Sequence, residues 1–126
     1  MRAWILAPYF LMAAPIAAQA VSVVHTNTLK AWIDQGKEMT ILDARGNYDP
    51  KMIPGAKWVP YDAPEDEIGA AAPIKTRTVV IYCWSESCPA SAHLADRMVS
   101  LGYTHVYEYP EGLQDWIQKG YPVTGM

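Results

Sequence analysis

The chain has 126 residues, 51% hydrophobic and 18% charged, with a formal net charge of −3. That length allows one small domain, the apolar share suits a packed core, and the modest charge argues against a disordered polypeptide. A net negative chain without a basic run excludes nucleic acid as the natural partner.

The first twenty residues differ from the rest. Met1-Arg2 gives a positive start, and Trp4 to Ala14 is an apolar run about as long as a signal-peptide core. Ala18-Gln19-Ala20 supplies the small-x-small pattern of a cleavage site. The apolar run, interrupted by Pro8 and followed by Pro15, falls short of the ~20 residues a helical span needs, so no stable membrane anchor is expected. Residues 1–20 read as a signal peptide and 21–126 as the mature domain, exported, with the periplasm as the expected compartment. N-terminal sequencing of protein from the exported fraction should start near Val21; a mature form starting at Met1 and held in the membrane would contradict this.

Val21 to Val24 is a short strand candidate. Thr26, Asn27 or Thr28 can cap a helix bearing Leu29, Trp32 and Ile33 on one face and ending at Gly36. Thr40-Ile-Leu42 reads as a buried strand, followed by Asp43-Ala-Arg45 and a loop from Gly46 to Pro50. Trp58-Val59 is another short strand. Asp62 to Thr76, rich in Ala, Pro and acid, predicts loop with room for one helical turn. Val79 to Tyr82 is the strongest strand, four β-branched or aromatic residues without alternation, as in a strand buried on both faces.

A helix follows from about Pro89 to Leu101, with Leu94, Ala95, Met98 and Leu101 on its apolar face and His93, Asp96, Arg97 and Ser100 opposite. Val106 to Tyr109 is a strand, and Leu113, Trp116 and Ile117 mark a last short helix. Strands alternating with helices predict an α/β fold, a central parallel sheet with helices on both faces. Ligands in such sheets bind at the carboxyl ends of the strands.

Cys83 stands at that end of the strongest strand, and the only other cysteine is Cys88. Between them the chain turns through Trp84, Ser85, Glu86 and Ser87, then meets Pro89, a residue favoured at the first position of a helix. Loop amides and a helix N-terminus stabilise an anion, and a thiolate held there has a lowered pKa. Cys83 is therefore a candidate catalytic nucleophile; the competing reading is an inert core cysteine. The three histidines are scattered, with no cysteine or carboxylate at ligand spacing beside His25 or His105, so no metal is expected. Arg45 reads as the partner of Asp43 or of a loop carbonyl.

Five motifs in order resemble the rhodanese (sulfurtransferase) family over about Val21 to Val123. They are Asp43-Ala-Arg45, Met52-Ile-Pro-Gly-Ala56, Val79-Val-Ile-Tyr-Cys83, the Gly102 and Val106 positions of Leu101 to Val106, and Glu111-Gly112 with Trp116 and Gly120-Tyr-Pro-Val123. The resemblance implies a rhodanese-like sheet and a Cys83 thiolate that takes sulfane sulfur from a small donor and passes it to a thiol or to cyanide, without a cofactor. It implies that the loop from Trp84 to Ser87 cradles the persulfide. This chain departs from the family where Glu86 replaces a frequent Gly, Cys88 a frequent Arg, and Met52 the usual His. Cys88 has three readings: a chance replacement, a resolving thiol, or a static disulfide partner. Two further functions stay open beside sulfur transfer: a thiol–disulfide accessory role with a protein redox partner, and a non-catalytic binding module that uses the Trp84 loop as its contact surface.

Overall fold

The run Val79 to Tyr82 becomes the middle of the molecule. In the computed structural model, which describes residues 20–125, five strands form one parallel sheet in the order β1-β5-β4-β2-β3. The strands are β1 (Ser22–Val23), β2 (Met39–Asp43), β3 (Lys57–Trp58), β4 (Thr78–Tyr82) and β5 (Val106–Tyr109), and the helices are α1 (Thr26–Asp34), α2 (Glu65–Ala71), α3 (Ala90–Ser100) and α4 (Gly112–Gln118). The expected signal peptide falls, except for Ala20, outside the described residues.

Strand β4 pairs with β2 from Met39↔Thr78 to Asp43↔Tyr82 and with β5 from Val79↔Val106 to Tyr82↔Tyr109. Its residues send side chains to two cores, which is why the sequence shows no alternation. Val79, Ile81 and Cys83 join Ile68 of α2 and Leu94, Ala95 and Met98 of α3 on one face. Val80 and Tyr82 join Leu29 of α1 and Leu113 and Trp116 of α4 on the other. The expected α/β sheet covered on both faces is the one observed.

Three local expectations need correction. Asp62 to Thr76 contains a seven-residue helix, α2, rather than loop with a single turn. Pro64 precedes it in extended backbone, and Glu65, Asp66 and Glu67 fill its first turn, where negative charge favours the helix dipole. Helix α1 is capped by His25 without a side-chain bond. Thr26 cannot serve, because it lies inside the helix and its hydroxyl donates to Asp115 while accepting from the Tyr109 hydroxyl. Pro89 sits at the cap position and α3 starts one residue later, at Ala90.

Candidate active site

The candidate cysteine loop stands at the carboxyl end of β4. Cys83 follows Tyr82 there and is 2% exposed. Its sulfur is bonded to that of Cys88 in a disulfide whose Cα atoms are 6.2 Å apart. Of the three readings of Cys88, chance replacement does not account for this bond. Trp84, Glu86 and Ser87 lie exposed along the loop, with Ser85 and Cys88 partly buried. The loop closes on itself through the Cys88 amide, which donates to the Ser85 carbonyl at 3.0 Å, and through a Ser85–Ser87 hydroxyl contact of 3.0 Å. The amides of Trp84, Ser85, Glu86 and Ser87 make no hydrogen bond among the described residues.

Helix α4 holds the loop from the far side. The Leu113 amide donates to the Cys83 carbonyl at 3.0 Å, and the Gln114 amide to the Trp84 carbonyl at 2.9 Å. These contacts demand close approach at Gly112, which has φ +76° and would set a Cβ only 2.6 Å from the Trp84 carbonyl group. A side chain there meets backbone on one side and a left-handed conformation on the other. Gly112→Ala is expected to cost about 2–5 kcal/mol, combining the left-handed penalty with overpacking. Thermal unfolding followed by circular dichroism should show a midpoint lower by roughly 10 °C or more; an unchanged midpoint would mean the loop and α4 are not packed as described.

Below the loop, Asp43 is fully buried and takes a bidentate grip from Arg45, with Nε at 2.9 Å and Nη2 at 2.7 Å. Arg45 Nη2 also donates to the Lys51 carbonyl at 2.8 Å, and the Ile53 amide donates to the Tyr82 hydroxyl at 3.1 Å. Burial opposes the guanidinium charge, the Asp43 pairing outweighs it, and Arg45 titrates above the ordinary arginine value. This network ties Asp43-Ala-Arg45 and the Met52 to Ala56 turn to the end of β4. Arg45 is thus the structural partner expected of it.

Two clefts flank the loop. One, of about 420 Å³, lies between Ser85, Glu86 and Ser87 and the Glu111, Gln114, Asp115 and Gln118 side of α4. It brings together three carboxylates, of which Asp115 is paired with Lys119 at 3.0 Å and Glu111 with His25 at 2.7 Å. The Thr26 hydroxyl, then Lys119, hold the Asp115 carboxyl below the usual range, so it stays charged at neutral pH. The second cleft, of about 370 Å³, is lined by Gly46, Tyr61, Cys88, Pro89, Ala90 and His93 and holds no carboxylate.

The family model for the rhodanese-like domain matches residues 25–119. The chain belongs to the rhodanese-like domain family. No curated protein matches it in sequence. Among solved structures, it is similar to a Bacillus halodurans protein (22% identity, TM-score 0.75, covering 82% of this chain and 77% of that one). It is also similar to the rhodanese-like domain of an Anabaena protein (26% identity, TM-score 0.70, 85% and 81% coverage). A third is a rhodanese with anions from E. coli (27% identity, TM-score 0.56, 70% and 99% coverage).

In this rhodanese-like domain, Cys83, Cys88 and the four residues between them form one loop at the sheet's carboxyl edge. Sequence reasoning missed the residues that frame it. Glu111 and Asp115 stand four apart on one helical stretch, and Tyr61 comes from the segment after β3; only the fold brings them to the loop. His25, which has no carboxylate at ligand spacing in the sequence, donates from Nδ1 to Glu111 Oε2 at 2.7 Å. That partner is 86 residues away, invisible to any local spacing. Trp84 is exposed as a lip beside the disulfide, while Trp116 is a core residue. His93 lies on the polar face of α3, edge-on to Tyr61.

Proposed function

We propose that this rhodanese-like domain moves sulfane sulfur through a persulfide on Cys83 to a thiophilic acceptor. The observation that carries the reading is the setting of Cys83, at the head of a loop whose four following amides have no acceptor among the described residues. N–H groups of that kind, with the start of α3 beyond them, stabilise a thiolate or persulfide anion. The thiolate attacks the outer sulfur of the donor, the donor's sulfur–sulfur bond breaks, and the remainder leaves with the electron pair. An acceptor nucleophile then takes the outer sulfur and regenerates the thiolate, two displacements in place of one.

Cys88 adds a branch to this cycle. Its thiolate attacks Cys83 Sγ in the persulfide, expels hydrosulfide and leaves the disulfide present in the structure. Two electrons from a thiol reductant then restore both thiols. Export to an oxidising compartment would favour the disulfide as the resting form.

A second reading, thiol–disulfide exchange as the function itself, is favoured by the disulfide. The test is to reduce the protein, remove the reductant, add polysulfide, and then offer cyanide. Sulfur transfer yields thiocyanate above the level given by the Cys83→Ser protein, until the disulfide left by the Cys88 branch stops it. A reversible loss of two hydrogens without thiocyanate supports the exchange reading, and neither result leaves a non-catalytic binding module.

A further inference from the structure

The two sulfurs of the disulfide are not equally placed. Cys83 is 2% exposed and lines neither cleft, whereas Cys88 is partly exposed and forms part of the wall of the 370 Å³ cleft with Tyr61, Pro89 and His93. The clefts also differ in charge. The Glu111 side carries three carboxylates, of which Asp115 is paired with Lys119 at 3.0 Å and Glu111 accepts from His25 at 2.7 Å, leaving Glu86 on the loop itself. The lining of the Cys88 side has no carboxylate, and Glu65, Asp96 and Arg97 lie beyond His93. Behind it, the Arg97 guanidinium donates to the Tyr61 carbonyl at 2.9 Å. An attacking thiol reacts as its thiolate, so an anion meets the Glu86 carboxylate on one side of the loop and no lining carboxylate on the other.

We propose that the Cys83–Cys88 disulfide is opened at Cys88 Sγ by a low-molecular-weight thiol entering through the Tyr61–His93 cleft. The inference rests on the disulfide and holds for either reading of the function. The cleft is of small-molecule size. The incoming thiolate bonds to Cys88 Sγ and the Cys83–Cys88 bond breaks. The electron pair leaves on Cys83 Sγ, where the loop amides stabilise the anion and make it the better leaving group. A second thiolate then attacks the reductant sulfur of the mixed disulfide and frees Cys88. In sum, two thiols are oxidised to one disulfide and two cysteine thiols form. Reduction and sulfur uptake are thereby assigned to different atoms: the reductant meets Cys88, and the sulfur donor meets Cys83.

The experiment uses the oxidised full chain and two probes, the anionic 2-mercaptoethanesulfonate and the cationic 2-aminoethanethiol. Reactions are quenched with acid within the first turnover, alkylated and mapped by peptide mass spectrometry. The expected result is the probe on Cys88 and the alkyl group on Cys83; the probe on Cys83 overturns the proposal. His93→Glu, at an exposed position, places a carboxylate on the cleft wall. It should slow reduction by the anionic probe several-fold relative to the cationic one. An unchanged ratio would overturn the cleft as the path of entry. Persulfide uptake by pre-reduced protein is scored separately, so failure of the sulfur-transfer reading would be distinguishable from failure of this one.

Discussion

The Cys83→Ser protein is expected to take up no sulfane sulfur while remaining folded. The loss follows from position: Cys88 is the only other thiol, and it opens to the Tyr61–His93 cleft rather than to the head of the amide-lined loop. Survival of the fold follows from magnitude. A bond closing so short a loop contributes about 2 kcal/mol in the chain-entropy account, against a typical domain stability of ~5–15 kcal/mol. The loop also keeps its backbone bonds, from the Cys88 amide to the Ser85 carbonyl and from the Leu113 and Gln114 amides to the Cys83 and Trp84 carbonyls. Circular dichroism checks the fold and persulfide-specific labelling checks the sulfur. Uptake by the variant at the wild-type rate would remove Cys83 from the role of nucleophile.

The Glu86→Gly/Cys88→Arg protein should turn over thiosulfate faster than the natural chain. Thiosulfate is a dianion, and the natural loop offers it a carboxylate at Glu86 and no guanidinium at position 88. An added charge-assisted hydrogen bond is worth ~1.5–3 kcal/mol, which corresponds to roughly a tenfold to hundredfold gain in rate. Most of the effect should come from the arginine, since Glu86 is exposed and its field is screened by salt. Glu111 and Asp115 are common to both proteins, so the gain comes from positions 86 and 88 and should fall as ionic strength rises and those charges are screened. The same double variant lacks the resolving thiol and cannot form the disulfide. Steady-state thiocyanate formation measures the gain; a rate no better than that of the natural protein would show that the loop was not limiting with this donor.

Much of the architecture was legible because it was written locally. Strands β4 and β5 announce themselves as runs of β-branched and aromatic residues, and Gly102 ends the run of α3 in the left-handed region at φ +97°. Helix α2 runs longer than the single turn expected of its segment because the same residues serve two purposes. Pro64 and the acids at 65–67 look like loop composition, yet they are also what the start of a helix prefers. The cap of α1 was misread for a tertiary reason: the Thr26 hydroxyl is claimed by Tyr109 and Asp115, 83 and 89 residues away. The site divides in the same way. Strand-end cysteine and loop length were visible in the Val79 to Pro89 stretch. The carboxylate-bearing wall of one cleft and the carboxylate-free wall of the other were not, because α4 meets the loop through backbone bonds to Cys83 and Trp84, and α3 meets Tyr61 through Arg97 and His93, all contacts between residues far apart in the chain.

The central claim, a sulfur carried on Cys83, is tested most directly by peptide-resolved mass spectrometry after exposure to polysulfide, with the protein either pre-reduced or left oxidised. Reduced protein should gain the mass of one sulfur atom on the peptide bearing Cys83. It should then lose that sulfur as sulfide while the Cys83–Cys88 bond forms, and the oxidised protein, which has no Cys83 thiolate, should take up no sulfur on Cys83 before the disulfide is opened. Sulfur found only on Cys88, or on neither cysteine of the reduced protein, would contradict the account.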